Sequence, residues 1–204
     1  MLFMNVQIKK MKIAVFDFDN TITRKDSFID FLIFTFGYIK FIAGIFYLLP
    51  DLSLYFFKKI SAHIAKERIF SYFFKGFTES EFNKLCKNYS LRRLDSIINP
   101  QVLEKIRFHQ EKNHTLVIAS ASIKNWIQPW AEKNMFDEVI ATEIEIQDNI
   151  LTGKFKTKNC TKEEKARRFL ERYNNRKEYF LYAYGNSKGD EALLSLADIK
   201  SLRH

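Results

Sequence analysis

The segment AVFDFDNTIT, Ala14 to Thr23, places two acids, Asp17 and Asp19, at the end of a short apolar run. Two carboxylates delivered to one spot repel each other unless something positive sits between them. The pair therefore points to a cation site, although Asp-x-Asp-Asn-Thr is also rich in turn and helix-cap residues. Three further polar clusters repeat the placement. Ser120-Ala121-Ser122 follows the apolar LVIA, Gly185-Asn-Ser-Lys-Gly-Asp190 follows FLYAY, and Lys165 lies in the first turns of the helix preceding that last run. Singly, each has an ordinary reading as a capping serine, a turn or a solvated lysine. Together they give an ordered series: an acid pair, a serine, a lysine, then Gly-Asn-x-x-x-Asp.

The elements that must position these residues alternate. Ile13–Phe16 reads as a buried strand, and the pattern resumes after Pro100 with a helix over Val102–Lys112 and a strand over Thr115–Ser120. A helix over Trp126–Asn134, the strand EVIAT and a hairpin turning at Asp148-Asn149 follow. Next come a helix over Thr161–Tyr173, opened by a capping box at Thr161–Glu164, a last clear strand at YFLYAYGN, and a short helix over Lys188–Leu196. Strands alternating with helices imply an α/β fold, a Rossmann-like parallel sheet with helices on both faces. In such sheets ligands bind beyond the carboxyl ends of the strands, where the polar clusters fall.

Between the first strand and Pro100 the pattern is helical and rich in phenylalanine. Twelve of the 21 phenylalanines lie between Phe28 and Phe77. Asp30, Lys40, Asp51, Gly37, Gly44 and Pro50 interrupt the stretch, and its longest uncharged piece, Phe41–Pro50, is far short of the ~20 residues of a membrane span. We expect two or three amphipathic helices there, then helices near Ala62–Phe74 and Glu79–Tyr89, the last opened by a capping box at Thr78–Glu81. The domain reading is a core of residues 1–25 and 100–204 and a helical cap of residues 26–99.

Composition narrows the function. At 47% hydrophobic residues, 204 residues can bury a core. The charge of +9 is scattered among acids, and no nucleic-acid-binding signature is present, so no nucleic-acid partner is expected. A basic surface suits phosphorylated small molecules or anionic lipid headgroups equally well. Cys86 and Cys160 form neither a disulfide framework nor a metal pair, and the histidines lack metal spacing, with His109 and His114 read as ordinary helix and loop residues. No secretory signal is recognised, and the ten residues before Met11 read as a dispensable extension, so a cytoplasmic location is expected, with peripheral contact at a membrane through the cap.

The ordered series resembles the haloacid dehalogenase-like phosphohydrolases, in the subfamily containing phosphoserine phosphatase. Asp17–Thr21 fits the Asp-x-Asp-x-Thr signature, VIASAS the second motif, NCTKEEKARRFLE the lysine motif and YGNSKGDEALL the Gly-Asp-x-x-x-Asp motif. The helical stretch sits where this subfamily inserts its cap. The resemblance implies a Mg²⁺-dependent phosphatase acting on a phosphate monoester through an aspartyl-phosphate. Asp17 would be the nucleophile and Asp19 the general acid and base. Thr21 would fix the loop, while Ser120, the backbone at Ala121 and Lys165 would hold phosphate oxygens. Asp17, the Asp19 carbonyl, Asn186 and Asp190 would bind the metal.

Two features depart from the family or stay open. Asn186 stands where Asp is usual, which makes Asp190 the more important acid, directly or through water. Lys162 competes with Lys165 for the lysine role, and the helical register EEKARR favours Lys165. The substrate is a small phosphorylated metabolite or a lipid phosphate such as phosphatidylglycerophosphate; phosphoserine is disfavoured because Ser27–Phe57 is poor in charge. A phosphotransferase using the same aspartyl-phosphate and a non-catalytic phosphate-binding protein are the alternatives. The oligomeric state is left open.

Overall fold

The computed structural model describes residues 10–202; the extension before Met11 falls almost wholly outside them. Strand β1 (Met11–Phe16) leads into a tight turn, Phe18–Ile22, closed by the Thr23 N–H on the Phe18 carbonyl at 2.9 Å. Asn20 takes the left-handed conformation there, φ 59°, which asparagine tolerates better than most residues. Four cap helices follow: α1 (Ser27–Tyr47), α2 (Leu49–Phe56), α3 (Ala62–Phe74) and α4 (Glu79–Arg92). The rest is α5 (Pro100–Glu111), β2 (Thr115–Ile123), α6 (Lys124–Lys133), β3 (Glu138–Thr142), β4 (Ile144–Gln147), β5 (Ile150–Phe155), α7 (Glu163–Arg172), β6 (Tyr179–Gly185), α8 (Glu191–Leu194) and β7 (Ile199–Leu202).

Five strands form one parallel sheet in the order β3-β2-β1-β6-β7. Residues of β1 alternate between its faces. Ile13 and Val15 join Val117, Leu181 and Ala183 beneath α7 and α8, whereas Ala14 and Phe16 join Leu116 and Ile118 on the opposite side. The second cluster continues without a break into the cap through Phe31, Phe70, Phe74 and Phe82. One apolar core therefore ties the cap to the sheet. The register sets the site: Phe16 pairs with Ile118 and with Tyr184, so β1, β2 and β6 run out together at one edge.

Several local expectations need correction. The Thr78 capping box forms with both of its bonds. The one expected at Thr161 does not: α7 starts at Glu163, the Thr161 N–H is taken by the Asn159 carbonyl at 2.8 Å, and the Glu164 carboxylate turns to Arg167. The last helix is only Glu191–Leu194, and β7 is a strand the sequence pattern did not reveal, being short and at the sheet edge. The antiparallel β4–β5 hairpin turns where expected, with Asp148 and Asn149 both left-handed. It is bonded to the cap, however, through Leu151 with Gly76 and Phe77, and through the Phe155 N–H on Glu67 at 2.8 Å. Finally, α1 runs 21 residues, long and apolar enough by length and composition to cross a membrane, but the left-handed Gly37, one of the expected interruptions, divides it into two helical halves.

Candidate active site

Three of the motif residues meet in a buried ion cluster. Lys165 Nζ donates to Asp17 Oδ1 at 2.7 Å and to Asp190 Oδ1 at 2.5 Å, and all three side chains are almost wholly buried. Parallel strands explain the convergence: Asp17 ends β1, Asp190 lies on the loop leaving β6, and α7 carries Lys165 inward beneath β2 and β3. Lys162 is exposed, outside this cluster. Thr21 donates its hydroxyl to Asp17 Oδ2 at 2.9 Å, so it orients the carboxylate. Asp190 Oδ2 in turn accepts from the Asn186 N–H, the Ser187 N–H and the Ser187 hydroxyl at 2.9–3.1 Å, which anchors the loop after β6.

Burial, reinforced by the nearby charge of Asp190, pushes Asp17 up to about 6 against the pull of Lys165. Burial would lower Lys165, but the two carboxylates outweigh it and hold the ammonium charged. Asp190 stays below the usual carboxylate range because Lys165 and the loop donors outweigh its burial.

Asp19 belongs to a different wall. Its Oδ1 accepts the Ser27 N–H at 2.8 Å, at the start of α1, and its Oδ2 accepts the Ser122 hydroxyl. Ser27 is itself fixed: Trp126 Nε1 donates to its hydroxyl at 3.1 Å and that hydroxyl donates to Ser122 at 3.1 Å. The fully buried Ser120 accepts the Ser122 N–H at 3.0 Å, and the Ala121 carbonyl accepts Thr142 at 2.8 Å.

The Ala121 carbonyl also accepts Lys66 Nζ at 2.9 Å. Lys66 comes from α3 of the cap and crosses to the core, its ammonium over the Phe28 ring. Burial presses it below lysine's usual range, against the attraction of Asp19 and Asp26. Lys66, Ser27 and Ser122 were not among the expected site residues. Ser122 had a signal in its spacing from Ser120, but Lys66 in AKER looks like any solvated helix charge.

The residues present fit a divalent cation. The carboxylates of Asp17 and Asp190 stand together at the β1 and β6 ends, with Asp19 and Asn186 on the adjoining loops, so the chain offers oxygen ligands there. Asp17 and Asp190 are paired with Lys165, and Lys66 is drawn toward Asp19 and Asp26, so acids and ammonium groups interleave along the cleft. Among the described residues no three His, Cys, Asp or Glu side chains gather into a metal cluster.

The model of the haloacid dehalogenase-like hydrolases matches residues 14–195, from β1 to the end of the last helix. This chain belongs to that family. The hydrolase is 29% identical to the protein CicA of Caulobacter vibrioides over 192 residues, covering 94% of this chain and 85% of that one. Among solved structures, a protein of unknown function from Bordetella pertussis matches with TM-score 0.80 at 19% identity, over 94% of the hydrolase and 89% of that chain. A phosphoserine phosphatase in a phospho-aspartyl intermediate analogue form matches with TM-score 0.63 at 20% identity, over 94% and 86%. The hydrolase thus has a phosphoserine phosphatase-like fold.

Proposed function

We propose that this chain is a Mg²⁺-dependent phosphomonoesterase working through an aspartyl-phosphate on Asp17. The observation that carries the reading is the buried Asp17–Lys165–Asp190 cluster, with Asp19 two residues on and held separately from the cap side. Asp17 attacks phosphorus while the ester P–O bond breaks, and Asp19 gives its proton to the departing alkoxide. A water then attacks the phosphoryl group and gives a proton to Asp19, the acyl-phosphate P–O bond breaks, and inorganic phosphate leaves. Lys165 and Ser120 hold equatorial oxygens where charge must be stabilised, and Thr21 keeps Asp17 aimed. Asp17, the Asp19 carbonyl and Asn186 would hold Mg²⁺, with Asp190 adjacent, directly or through water. When bound, the ion supplies the positive charge that lets a phosphate dianion approach a carboxylate. The phospho-aspartyl intermediate analogue of a phosphoserine phosphatase with this fold supports the same intermediate here.

The substrate is a phosphate monoester of either a small metabolite or a lipid. The sequence argument against phosphoserine weakens, because Asp26 and Lys66 lie outside the charge-poor stretch and bring an acid and an ammonium to the Asp19 side. The buried free Cys86 and Cys160 suit a reducing cytoplasm. Hydrolysis of p-nitrophenyl phosphate tests the reading: turnover with Mg²⁺ that is lost on adding EDTA supports it, and EDTA-insensitive turnover would overturn it. Comparing phosphoserine with a lipid phosphomonoester then separates the substrate classes.

A further inference from the structure

The cap carries a surface that the proposed chemistry does not use. Gly37 breaks α1 into two halves, its backbone left-handed at φ 76°, a conformation that strains any side-chain-bearing residue. Before the break, Phe28, Phe31 and Leu32 are buried in the common core, and Asp30 is bonded to Arg93 at 2.9–3.0 Å and to Tyr89. Beyond it only Gly44, pressed against Phe73 and Tyr72, is buried within the helix. Aromatic and aliphatic side chains instead stand in solvent along this half and along α2. Ile39 is 86% exposed, Phe56 81% and Phe46 67%, with Tyr38, Tyr47 and Phe57 similarly bare. A contiguous apolar face of this kind marks a binding surface.

The charges around the face identify its partner. From Phe31 to Ser61 the chain carries four charged residues, Lys40, Asp51, Lys58 and Lys59. The one acid, Asp51, is neutralised by Arg68. Lys40 is exposed among the bare aromatics of α1, and Lys58 and Lys59 are exposed directly after Phe57. Aromatic and aliphatic groups ringed by lysine, with no free acid, match the boundary between acyl chains and anionic headgroups.

The geometry also rules out spanning. Gly37–Tyr47 rises only ~16 Å as a helix, about half the hydrocarbon thickness, and the other half of α1 is locked in the core by the Asp30–Arg93 pair. We propose that the Gly37–Phe57 hairpin seats the protein on an anionic membrane surface, lying in the interface rather than crossing it. The same helix contributes the Ser27 N–H that holds Asp19, so the exposed half starts ~15 Å of helix from the cleft. This proposal concerns attachment and stands whether or not the chain is a phosphatase.

Co-sedimentation of the full chain with vesicles tests it. Vesicles of 30% phosphatidylglycerol in phosphatidylcholine should retain the protein, and pure phosphatidylcholine much less. Lys40→Gln/Lys58→Gln/Lys59→Gln, confined to exposed side chains, should weaken retention on the order of a hundredfold. Ile39→Ser and Phe56→Ser should each weaken it on the order of tenfold. Unchanged hydrolysis of soluble p-nitrophenyl phosphate, or for an inactive protein an unchanged melting curve, shows that the variants are folded. Absence of retention on anionic vesicles overturns the proposal, as does retention indifferent to the lysine variant. Light scattering that shows a dimer abolished by Phe56→Ser, without vesicle binding, would assign the face to a second copy and overturn it equally.

Discussion

The cleft has two walls that neutralise their acids in opposite ways. On the core wall, Asp17 and Asp190 share one buried ammonium, and every partner comes from the sheet ends and α7. On the cap wall, Asp19 accepts an N–H and a hydroxyl, and the nearby cation, Lys66, is only half-buried and reaches across from α3. The difference assigns labour. An ion cluster without solvent is fixed in place and suits covalent chemistry that needs an aimed nucleophile. Hydroxyls and a long lysine tolerate adjustment, which suits proton transfer and the recognition of what lies beyond the phosphate.

Breaking the core wall should give the largest effect. Asp17→Asn is expected to reduce turnover on the order of 10⁴-fold or more while the protein melts within a few degrees of the parent, since Lys165 keeps Asp190 as a partner. Steady-state kinetics and a thermal melt check both halves. Lys165→Met should also abolish turnover, but at a cost of about 3–5 kcal/mol in stability, because two buried carboxylates lose their counter-ion. Urea unfolding measures it, and an unaltered midpoint would mean that water already shields the cluster.

Behind the core wall, the buried His109 bonds to Tyr184 on β6 at 2.9 Å and to His114 at 2.7 Å. Burial, with His114's help, pushes it down to about 4. Its folded value lies below the unfolded ~6.5, so the folded state binds fewer protons as the pH falls. Stability is therefore full above pH ~6.5 and lost as the pH falls toward 4, by up to roughly 3 kcal/mol. Unfolding from pH 7 to 4.5 should show this slope, and His109→Gln should flatten it.

On the cap wall the expected effect is smallest. Lys66→Gln should raise KM for a charged phosphomonoester roughly tenfold with kcat changed less than about threefold, and Lys66→Arg should restore most of it. Equal KM values for parent and Lys66→Gln would remove Lys66 from substrate recognition.

The same contrast explains what could be read from the sequence. The core wall was legible because strand periodicity shows where β1 and β6 end, with Asp17 and the Gly185–Asp190 loop directly after them, whereas β2 runs on past Ser120 to Ile123 and Lys165 was found from its motif on α7. The cap wall was not, because Ser27, Lys66 and Ser122 meet only after α1 and α3 fold onto the sheet, and no spacing records that. The capping boxes teach the same lesson locally. Thr78–Glu81 forms with both of its bonds, whereas at Thr161 the Asn159 carbonyl captures the N–H and Arg167 the Glu164 carboxylate. Nor did composition distinguish the halves of α1: both are apolar and aromatic, yet one lies in the core and the other in solvent, and the Gly37 bend with the Asp30–Arg93 pair decides which.

The central claim, a covalent phosphoryl group on Asp17, is tested most directly with Asp19→Asn and p-nitrophenyl phosphate. The p-nitrophenolate ion departs without needing a proton, so the first step survives while hydrolysis of the intermediate, which needs a base, slows. Rapid mixing should release a burst of about one nitrophenolate per chain, and acid-quenched protein should carry the phosphoryl group on the peptide containing Asp17. A protein that turns over without a burst and without label, or that carries label elsewhere, contradicts the account.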